Sequence, residues 1–428
     1  MAFDGTRRFV GLGFGAIQAG LFVYEAQRTG AYAEPLVVDV RADLVSAVRA
    51  AEGLVRINIA RPDGIDMAEL GPLDVADSSI GGERERVIDA IARADELATA
   101  LPSVVFYHSD GPTSPHLLLA QGLLERTSSR PLIVFCAENH RDAASLLRDA
   151  VLGAVEPAER DGVRARVRFV DTVIGKMSGV IGNEAEMRTL ALAPITSTMQ
   201  SAFLVEEFDR ILAARVDPDG GAAALHPGMP VLREVDDLAP FEDAKLLGHN
   251  ATHALAGFLG TLLDVALVAD LRDVPGAMGF LRAAFIEESG RALIARHAGS
   301  DPLFTPAGFA DFADDLLARM VNPYLVDTIE RAARDPRRKL GWDDRLIGLL
   351  RLGLSQDVPM RRYSMGVAAG LEILRREGAS CDMTCTLVKC WPDDVDEDEA
   401  HAVLAAVAAG SDLLTQWRDG GFAELSIV

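Results

Sequence analysis

The stretch that decides the fold is Phe9-Val10-Gly11-Leu12-Gly13-Phe14-Gly15, in which an apolar run leads into two glycines spaced as in G-x-G-x-x-G. In a strand–turn–helix unit, the first of these glycines permits a tight turn and the second lets a pyrophosphate approach the backbone. The helix that follows supplies amide donors at its N-terminus. A tight turn favours glycine in any case, so this pair alone is weak evidence for a dinucleotide site.

A carboxylate strengthens this interpretation. Asp39 ends the next predicted strand, twenty-six residues after Gly13, where it can accept both hydroxyls of an adenosine ribose. A carboxylate there would repel a 2′-phosphate, which favours NAD over NADP, although Arg41 keeps NADP possible. The residues that we expect to bind NAD are Gly13, Phe14, Gly15, Ala16, Ile17 and Asp39.

The motif departs from the usual pattern at its third glycine. Gln18 occupies that position, and Gly20 follows two residues later. The third glycine normally lets the helix pack closely on the strand. We therefore expect the Gln18 side chain either to tilt the helix or to project into the cofactor groove.

Strand-like and helical patterns alternate outward from this motif. The predicted strands lie at 8–11, 35–40, 54–59, 103–107, 132–136 and 167–171, which indicates a doubly wound parallel sheet. After a loop-rich section at 216–230, helical periodicity dominates from Ala239 to the end. We predict an α/β Rossmann-like domain over 1–195, followed by a mainly α-helical domain over 196–428 that carries the catalytic and substrate residues.

Composition and charge limit the possible partners. A chain of 428 residues exceeds one typical core, and its net charge of −22 argues against nucleic acid as a partner. The four cysteines, at 136, 381, 385 and 390, match no zinc pattern, so we expect no metal. The longest later apolar stretch contains Asp264 and Asp270, which favours a buried helix over a membrane span.

The N-terminal segment also has features of an export signal. Arg7-Arg8, an apolar run from Phe9 to Val23 and Ala31-Tyr32-Ala33 mimic a signal with a cleavage site. However, Glu25 and Arg28 interrupt it, and cleavage would remove the glycine loop. We therefore expect a cytoplasmic protein.

A second informative stretch is Lys245-Leu246-Leu247-Gly248-His249-Asn250-Ala251-Thr252-His253. On an α-helix, Asn250 would lie about 140° and His253 about 80° from Lys245, so the three share one broad face. A lysine can remove a hydroxyl proton if burial lowers its pKa to roughly 7–8, and a carboxamide can stabilise the resulting oxyanion. An ordinary amphipathic helix would show the same pattern, and His249 lies on this face too.

The spacing Lys-x4-Asn-x2-His resembles the signature of the polyol-specific long-chain dehydrogenases, the mannitol dehydrogenase superfamily. These metal-independent enzymes combine a Rossmann-like domain with a helical one. The resemblance implies that Lys245 is the general acid/base, that Asn250 stabilises the oxyanion and that His253 positions the substrate. It also implies a second carboxamide from Asn139, in Cys136-Ala137-Glu138-Asn139.

Further segments resemble the mannitol-1-phosphate 5-dehydrogenases within this family. They are Asn322-Pro323-Tyr324-Leu325, Arg334-Asp335-Pro336-Arg337-Arg338-Lys339-Leu340 and Asp344-Arg345-Leu346-Ile347. In so acidic a chain, Arg338 and Lys339 would help to bind a phosphorylated substrate. Basic residues at a helix end, placed against its dipole, are the alternative explanation.

The resemblance implies an NAD-dependent oxidoreductase that interconverts a sugar alcohol, or its phosphate, and the matching keto sugar. We expect mannitol 1-phosphate and fructose 6-phosphate as the pair. A dehydrogenase of an unphosphorylated polyol or a hexuronate is one alternative, and a non-catalytic dinucleotide-binding homologue, suggested by Gln18, is another. The resemblance also favours a monomer.

Overall fold

The computed structural model describes residues 6–109, 111–207, 210–217, 224–378, 382–422 and 425; Cys381 therefore lies outside the described residues. The chain divides into two units, Met1–Leu238 and Ala239–Val428. The predicted boundary at 195 is too early. Strands between 202 and 235 pair with strands of the N-terminal part, which places them in the first unit.

The larger sheet of the first unit contains eight strands. Its six parallel strands are β1 (Phe9–Leu12), β2 (Leu36–Val38), β5 (Asp74–Ala76), β6 (Glu96–Thr99), β7 (Leu132–Cys136) and β8 (Val167–Ile174). They lie in the order β5-β2-β1-β6-β7-β8, and β11 (Ile211–Ala214) and β12 (Leu232–Val235) extend the sheet beyond β8. This is the strand order of a doubly wound dinucleotide-binding domain, and its switch point lies between β1 and β6. The predicted Rossmann-like fold is confirmed.

A second sheet was not predicted. It consists of β3 (Val55–Ala60), β4 (Ile65–Leu70), β9 (Ser178–Ile181) and β10 (Ala202–Glu206), in the order β4-β3-β10-β9. The strand predicted at 54–59 therefore exists but is not part of the large parallel sheet. It pairs in parallel with β10, from much later in the chain, and a local pattern cannot identify so distant a partner.

The strand predicted at 103–107 is wrong. Val104–His108 forms a 3₁₀ turn, in which the Ser103 hydroxyl accepts a hydrogen bond from the Val105 amide at 3.3 Å. The β-branched and aromatic residues that suggested a strand include exposed Val105 and Phe106. The strand at this place in the sheet is β6, which begins at a fully buried Glu96 paired with Arg7.

Helices cover the sheets of the first unit. They are α1 (Tyr24–Thr29), α2 (Ala42–Ala50), α3 (Gly81–Arg93), α4 (Pro115–Glu125), α5 (Ala143–Gly153), α6 (Arg160–Ala165) and α7 (Glu184–Thr189). The helix after the glycine loop runs over 16–29 and includes a π-helical segment, Gln18–Val23.

Gln18 is packed into the core between this helix and β1. Its side chain is fully buried, and a Cβ placed on Gly11 would come within 2.2 Å of its amide nitrogen. The glycine that permits the close approach is thus on the strand, whereas the family motif places it on the helix. Gly20 allows a second close approach, because a Cβ there would meet the Val205 side chain at 2.4 Å. Of the two predicted effects of Gln18, projection of its side chain into the cofactor groove is therefore wrong, because the side chain is buried against Gly11.

In the described part of the second unit, helices joined by turns and loops make up the structure, apart from one isolated β-bridge between Leu267 and Thr328. Its helices are α8 (Ala239–Asp243), α9 (Ala251–Leu263), α10 (Ala277–Ala283), α11 (Arg291–His297), α12 (Pro306–Met320), α13 (Ile329–Ala333), α14 (Pro336–Lys339), α15 (Ile347–Ser355), α16 (Arg361–Arg376), α17 (Met383–Val388) and α18 (Glu397–Gly420). The predicted helical domain is confirmed. Among the described residues, every helix is too short or too polar to cross a bilayer.

Two π-helical segments interrupt the helices in the described part of the second unit. Ala244–Asn250 connects α8 to α9, and Ala284–Gly290 connects α10 to α11. The helix over 239–263 lies at the centre of the unit. A Cβ on Gly257 would come within 2.6 Å of the Ala332 backbone, and one on Gly260 within 2.3 Å of Ile329. These glycines let α13 pack directly on α9.

The buried amide of Gln18 leads to a stability prediction. Neither of its polar atoms has a hydrogen-bond partner among the described residues. Gln18→Met keeps the length of the side chain and removes an unpaired polar group, so we expect the free energy of unfolding to rise by about 1 kcal/mol or more. Urea denaturation of both proteins measures the difference.

The matched control is Gln121→Met, since Gln121 lies exposed on α4. Its effect should stay within about 0.5 kcal/mol. Loss of stability in Gln18→Met would show that the amide has an unrecognised partner.

Candidate active site

The loop between β1 and the helix over 16–29 fits a pyrophosphate. Gly13 has a φ of +84°, which a side chain would strain, and a Cβ there would meet the Ala100 carbonyl oxygen at 2.9 Å. A Cβ on Gly15 would meet nothing within 4 Å, so open space lies over that residue. Ala16 and Ile17 begin the helix, where amide groups have no partners within the helix. The loop thus offers donors facing a free surface at the switch point of the sheet.

Asp39 lies directly after β2 and holds this loop in place. Its Oδ2 accepts a hydrogen bond from the Phe14 amide at 2.8 Å. The Arg41 guanidinium binds both oxygens, at 3.0 and 2.9 Å, and the Arg41 amide donates to Oδ1 at 2.9 Å. A carboxylate has about four acceptor positions, and all four are filled here. Ribose hydroxyls can therefore bind Asp39 only if the half-exposed Arg41 side chain moves away.

Asn139 follows β7 in the first unit and is exposed to solvent. The residue before it, Glu138, is buried and holds this chain segment. Glu138 accepts hydrogen bonds from the Thr99 hydroxyl at 2.8 Å, the Leu101 amide at 2.9 Å and the Tyr107 hydroxyl. Burial raises the pKa of Glu138, against the effect of these hydrogen bonds. Glu138 thus links the ends of two neighbouring strands and fixes the backbone that carries Asn139.

Lys245 and Asn250 lie at the two ends of a π-helical turn in the second unit. The predicted separation of about 140° assumed an α-helix and is therefore wrong. In a π-helix, residue i+5 donates its amide to residue i, so residues five apart lie on the same side of the helix. The π turn brings the amine and the carboxamide to the same side of the helix. His253 follows one α-helical turn later, in the first turn of α9.

The Lys245 amine is in an environment that disfavours its charge. Burial lowers its pKa to about 8, Glu242 opposes this shift and Arg345 adds to it. This value lies at the upper end of the range that we predicted for a catalytic lysine. A substantial fraction of the amine is therefore unprotonated near pH 8, as a general base requires.

The structure distinguishes between the two histidines. His249 is buried, and burial together with His253, Arg319 and Lys245 lowers its pKa to about 3. It therefore stays neutral at physiological pH. His253 is partly exposed, and its Nε2 lies 2.6 Å from Asp327 Oδ2. A histidine oriented by a carboxylate can present its other ring nitrogen to a ligand.

Asp327 was not predicted from the sequence, although it lies just after the segment Asn322-Pro323-Tyr324-Leu325. Asn322 caps a 3₁₀ turn at Pro323–Leu325, accepting a hydrogen bond from the Tyr324 amide at 2.9 Å. Val326 then adopts a left-handed conformation, which turns the chain and directs Asp327 to His253. The buried position of Asp327 opposes ionisation, but the hydrogen bond to His253 and the nearby charges lower its pKa. An aspartate two residues after Asn-Pro-Tyr-Leu was the available signal.

Arg338 and Lys339, the predicted phosphate ligands, already have partners in the structure. Arg338 binds Asp335 at 3.0 Å and Asp344 at 3.2 Å, with about half of its side chain exposed. Lys339 is buried, and its amine donates to the carbonyl oxygens of Ala332, at 2.7 Å, and Arg334. Lys339 therefore caps the end of α13 and has one donor left of three. Their contact with a substrate stays a prediction.

No group of three or more His, Cys, Asp or Glu side chains that could hold a metal ion lies within the described parts of the chain.

Comparisons with known proteins match both units. Residues 7–209 match a family model described as the mannitol dehydrogenase Rossmann domain, and residues 237–409 match the mannitol dehydrogenase C-terminal domain. A D-sorbitol dehydrogenase in substrate-free form is similar in structure, with a TM-score of 0.76 and 15% identity over 99% of this chain and 95% of that one. The Pseudomonas fluorescens mannitol 2-dehydrogenase, solved with NAD and D-mannitol, has a TM-score of 0.67 and 17% identity over 98% and 93% of the two chains.

The filled acceptor positions of Asp39 lead to a prediction for cofactor binding. Arg41→Ala removes the side chain that competes with the ribose hydroxyls, so we expect tighter NAD binding. The affinity should rise by up to about fivefold, which corresponds to the free energy of one exposed ion pair. NADP should bind more weakly, because its 2′-phosphate loses a guanidinium. Calorimetric titration with each cofactor measures both effects.

Arg93→Ala serves as the control, since it removes an exposed arginine that pairs with Asp89 on α3. Weaker NAD binding in Arg41→Ala would contradict the competition and would mean that the guanidinium itself contacts NAD.

Proposed function

The chain belongs to the mannitol dehydrogenase family, and from this premise we propose that it is an NAD-dependent oxidoreductase that interconverts a sugar alcohol and a keto sugar. The observation that carries the proposal is the partly buried Lys245 amine, whose pKa is lowered and which a π turn places on the same side of its helix as the Asn250 carboxamide. An amine with a lowered pKa next to an N–H donor suits the removal of a hydroxyl proton.

Each member of the site then has a distinct role. Lys245 takes the hydroxyl proton during oxidation and returns it during reduction, while Asn250 donates a hydrogen bond to the reacting oxygen. His253, oriented by Asp327, binds a neighbouring hydroxyl of the substrate. Asn139 provides a second carboxamide, as the resemblance implies. NAD, held by the loop at 13–17 and by Asp39, supplies the hydride acceptor when it is bound.

For the substrate, our finer proposal is the pair mannitol 1-phosphate and fructose 6-phosphate. Its support is the resemblance of the segments at 322–325, 334–340 and 344–347 to the mannitol-1-phosphate branch. One observation favours an unphosphorylated alcohol instead, because Arg338 is neutralised by Asp335 and Asp344. A hexuronate carries a carboxylate and would also need a cation, which Arg338 supplies only if it leaves Asp335 and Asp344.

A non-catalytic homologue is the remaining alternative. The reason for this alternative was that Gln18 would disturb the cofactor groove. Gln18 instead packs on Gly11 inside the first unit, and this reason no longer applies.

The pKa of Lys245 determines the expected pH dependence of the reaction. The base form is present above pH 8, so kcat/KM for alcohol oxidation should rise through a pKa of about 8 and level off above it. Ketone reduction needs the protonated amine and should fall over the same range. Lys245→Met should lower oxidation by about 10²- to 10⁴-fold. NADH absorbance, with a panel of polyols and their phosphates between about pH 6 and 10, measures these rates.

Lys389→Met is the control, because Lys389 lies exposed at the end of α17. A flat profile for oxidation, or an active Lys245→Met protein, would contradict the role of Lys245. Binding of NAD without turnover of any alcohol would support the non-catalytic homologue.

The Arg338 guanidinium provides the test for a phosphorylated substrate. If it binds phosphate, Arg338→Ala should raise the KM for mannitol 1-phosphate by about tenfold or more, and should leave the KM for mannitol unchanged. Arg376→Ala removes another exposed, ion-paired arginine and serves as the control. An unchanged KM for mannitol 1-phosphate would remove Arg338 as the phosphate ligand and favour an unphosphorylated alcohol.

A further inference from the structure

Side-chain hydroxyls bind the middle of the π turn that carries Lys245 and Asn250. The Leu247 carbonyl accepts a hydrogen bond from the Ser289 hydroxyl at 3.0 Å. The next carbonyl, that of Gly248, accepts one from the Thr252 hydroxyl at 2.9 Å. Where a π turn joins an α-helix, the change of hydrogen-bond register leaves a carbonyl short of a backbone donor. The Gly248 carbonyl also accepts the Ala251 amide, so Thr252 adds a second donor there, whereas Ser289 supplies Leu247 with a donor from outside the helix.

Ser289 comes from the other π-helical segment of this unit, Ala284–Gly290. It is fully buried, as is Thr252. The two segments also touch near Gly248, where a Cβ would come within 3.0 Å of the Phe285 ring. Ser289 therefore reaches Leu247 across a buried and closely packed contact.

Tyr363 completes this network from α16. Its hydroxyl lies 2.6 Å from Thr252 Oγ1 and also interacts with Ser289. Because Thr252 gives its only proton to Gly248, Tyr363 must be the donor in the bond between the two hydroxyls. The Tyr363 backbone is fixed in turn, since its amide donates to the buried Glu288 carboxylate at 3.1 Å.

We propose that Ser289, Thr252 and Tyr363 are positioning residues that hold the π turn open and thereby keep Lys245 and Asn250 on one side of their helix. This inference rests on the proposed function, because the alignment matters only if both side chains act on one substrate. Relaxation to an α-helix would rotate the amine and the carboxamide about 140° apart. The amine would then also leave its position among Glu242, His249 and Arg345.

The test compares Ser289→Ala and Tyr363→Phe with Ser364→Ala. Ser364 is a suitable control, because it is a buried serine beside Tyr363 whose hydroxyl has no partner among the described residues. We expect Ser289→Ala to lower kcat by about ten- to hundredfold with little change in KM, since it misplaces groups that act in the transition state. Tyr363→Phe should have a smaller effect, because Thr252 still binds Gly248. Ser364→Ala should match the wild type.

A second measurement does not depend on turnover. The chain has only four lysines, at 176, 245, 339 and 389, so lysine labelled with ¹³C at Cε gives few NMR signals. The Lys245 signal should titrate near pH 8 in the wild type and in Ser364→Ala. In Ser289→Ala it should titrate at a higher pH, because the displaced amine regains water. A general loss of stability would not move this titration in a folded protein.

The two measurements separate the possible failures. If Ser289→Ala and Tyr363→Phe both keep the wild-type kcat and the wild-type titration of Lys245, the positioning role is overturned. If the wild type oxidises no polyol, the proposed function fails, and the NMR titration still decides whether the hydroxyls hold the π turn. If Ser289→Ala does not fold, Tyr363→Phe decides the question in the same way.

Discussion

Close packing around one helix is the constraint on which the second unit depends. The helix over 239–263 is approached from several sides at glycines. Gly257 lies against the Ala332 backbone, and on α16 a Cβ at Gly366 or Gly370 would come within 2.6 Å of Leu255 or Phe258. Where glycines let neighbouring elements pack this closely, α9 has little room to rotate or slide, since protein interiors resist even small changes in volume. The direction in which α9 presents His253 is therefore fixed by the apolar core, whereas Lys245 and Asn250 lie on the π turn that precedes it.

The first unit meets a similar requirement in an unusual way. A helix and a strand can approach closely if either of them lacks a side chain at the crossing point. Dinucleotide-binding motifs place that glycine on the helix, whereas here Gly11 on β1 makes room for Gln18. The glycine loop keeps its geometry, so a departure from the motif at one residue has been offset by a glycine on the facing strand.

The features that the sequence predicted are local ones. The glycine loop, Asp39 and the strand at 132–136 each depend on neighbouring residues, and all three lie where the pattern placed them. Features that depend on distant partners were not predictable. The strand β6 was not predicted, because it begins with the charged residue Glu96. A buried carboxylate is stable there only because Arg7 and Tyr32 lie beside it. The spacing left His249 and His253 open and the resemblance named His253, but its partner Asp327 is visible only in the structure. The π turn leaves no trace in composition, since the hydrogen-bond register changes while the residues stay helical.

The burial of Lys245 has a consequence for folding. Its pKa is about 8 in the folded chain, whereas a lysine in an unfolded chain titrates near 10.5. Between these values the unfolded chain binds more protons, so the free energy of unfolding rises with pH across this window. Below pH 8, where both states carry the proton, the buried charge destabilises the fold by an amount on the order of 3 kcal/mol. The alkaline conditions that free the amine to act as a base thus also relieve the fold of that charge.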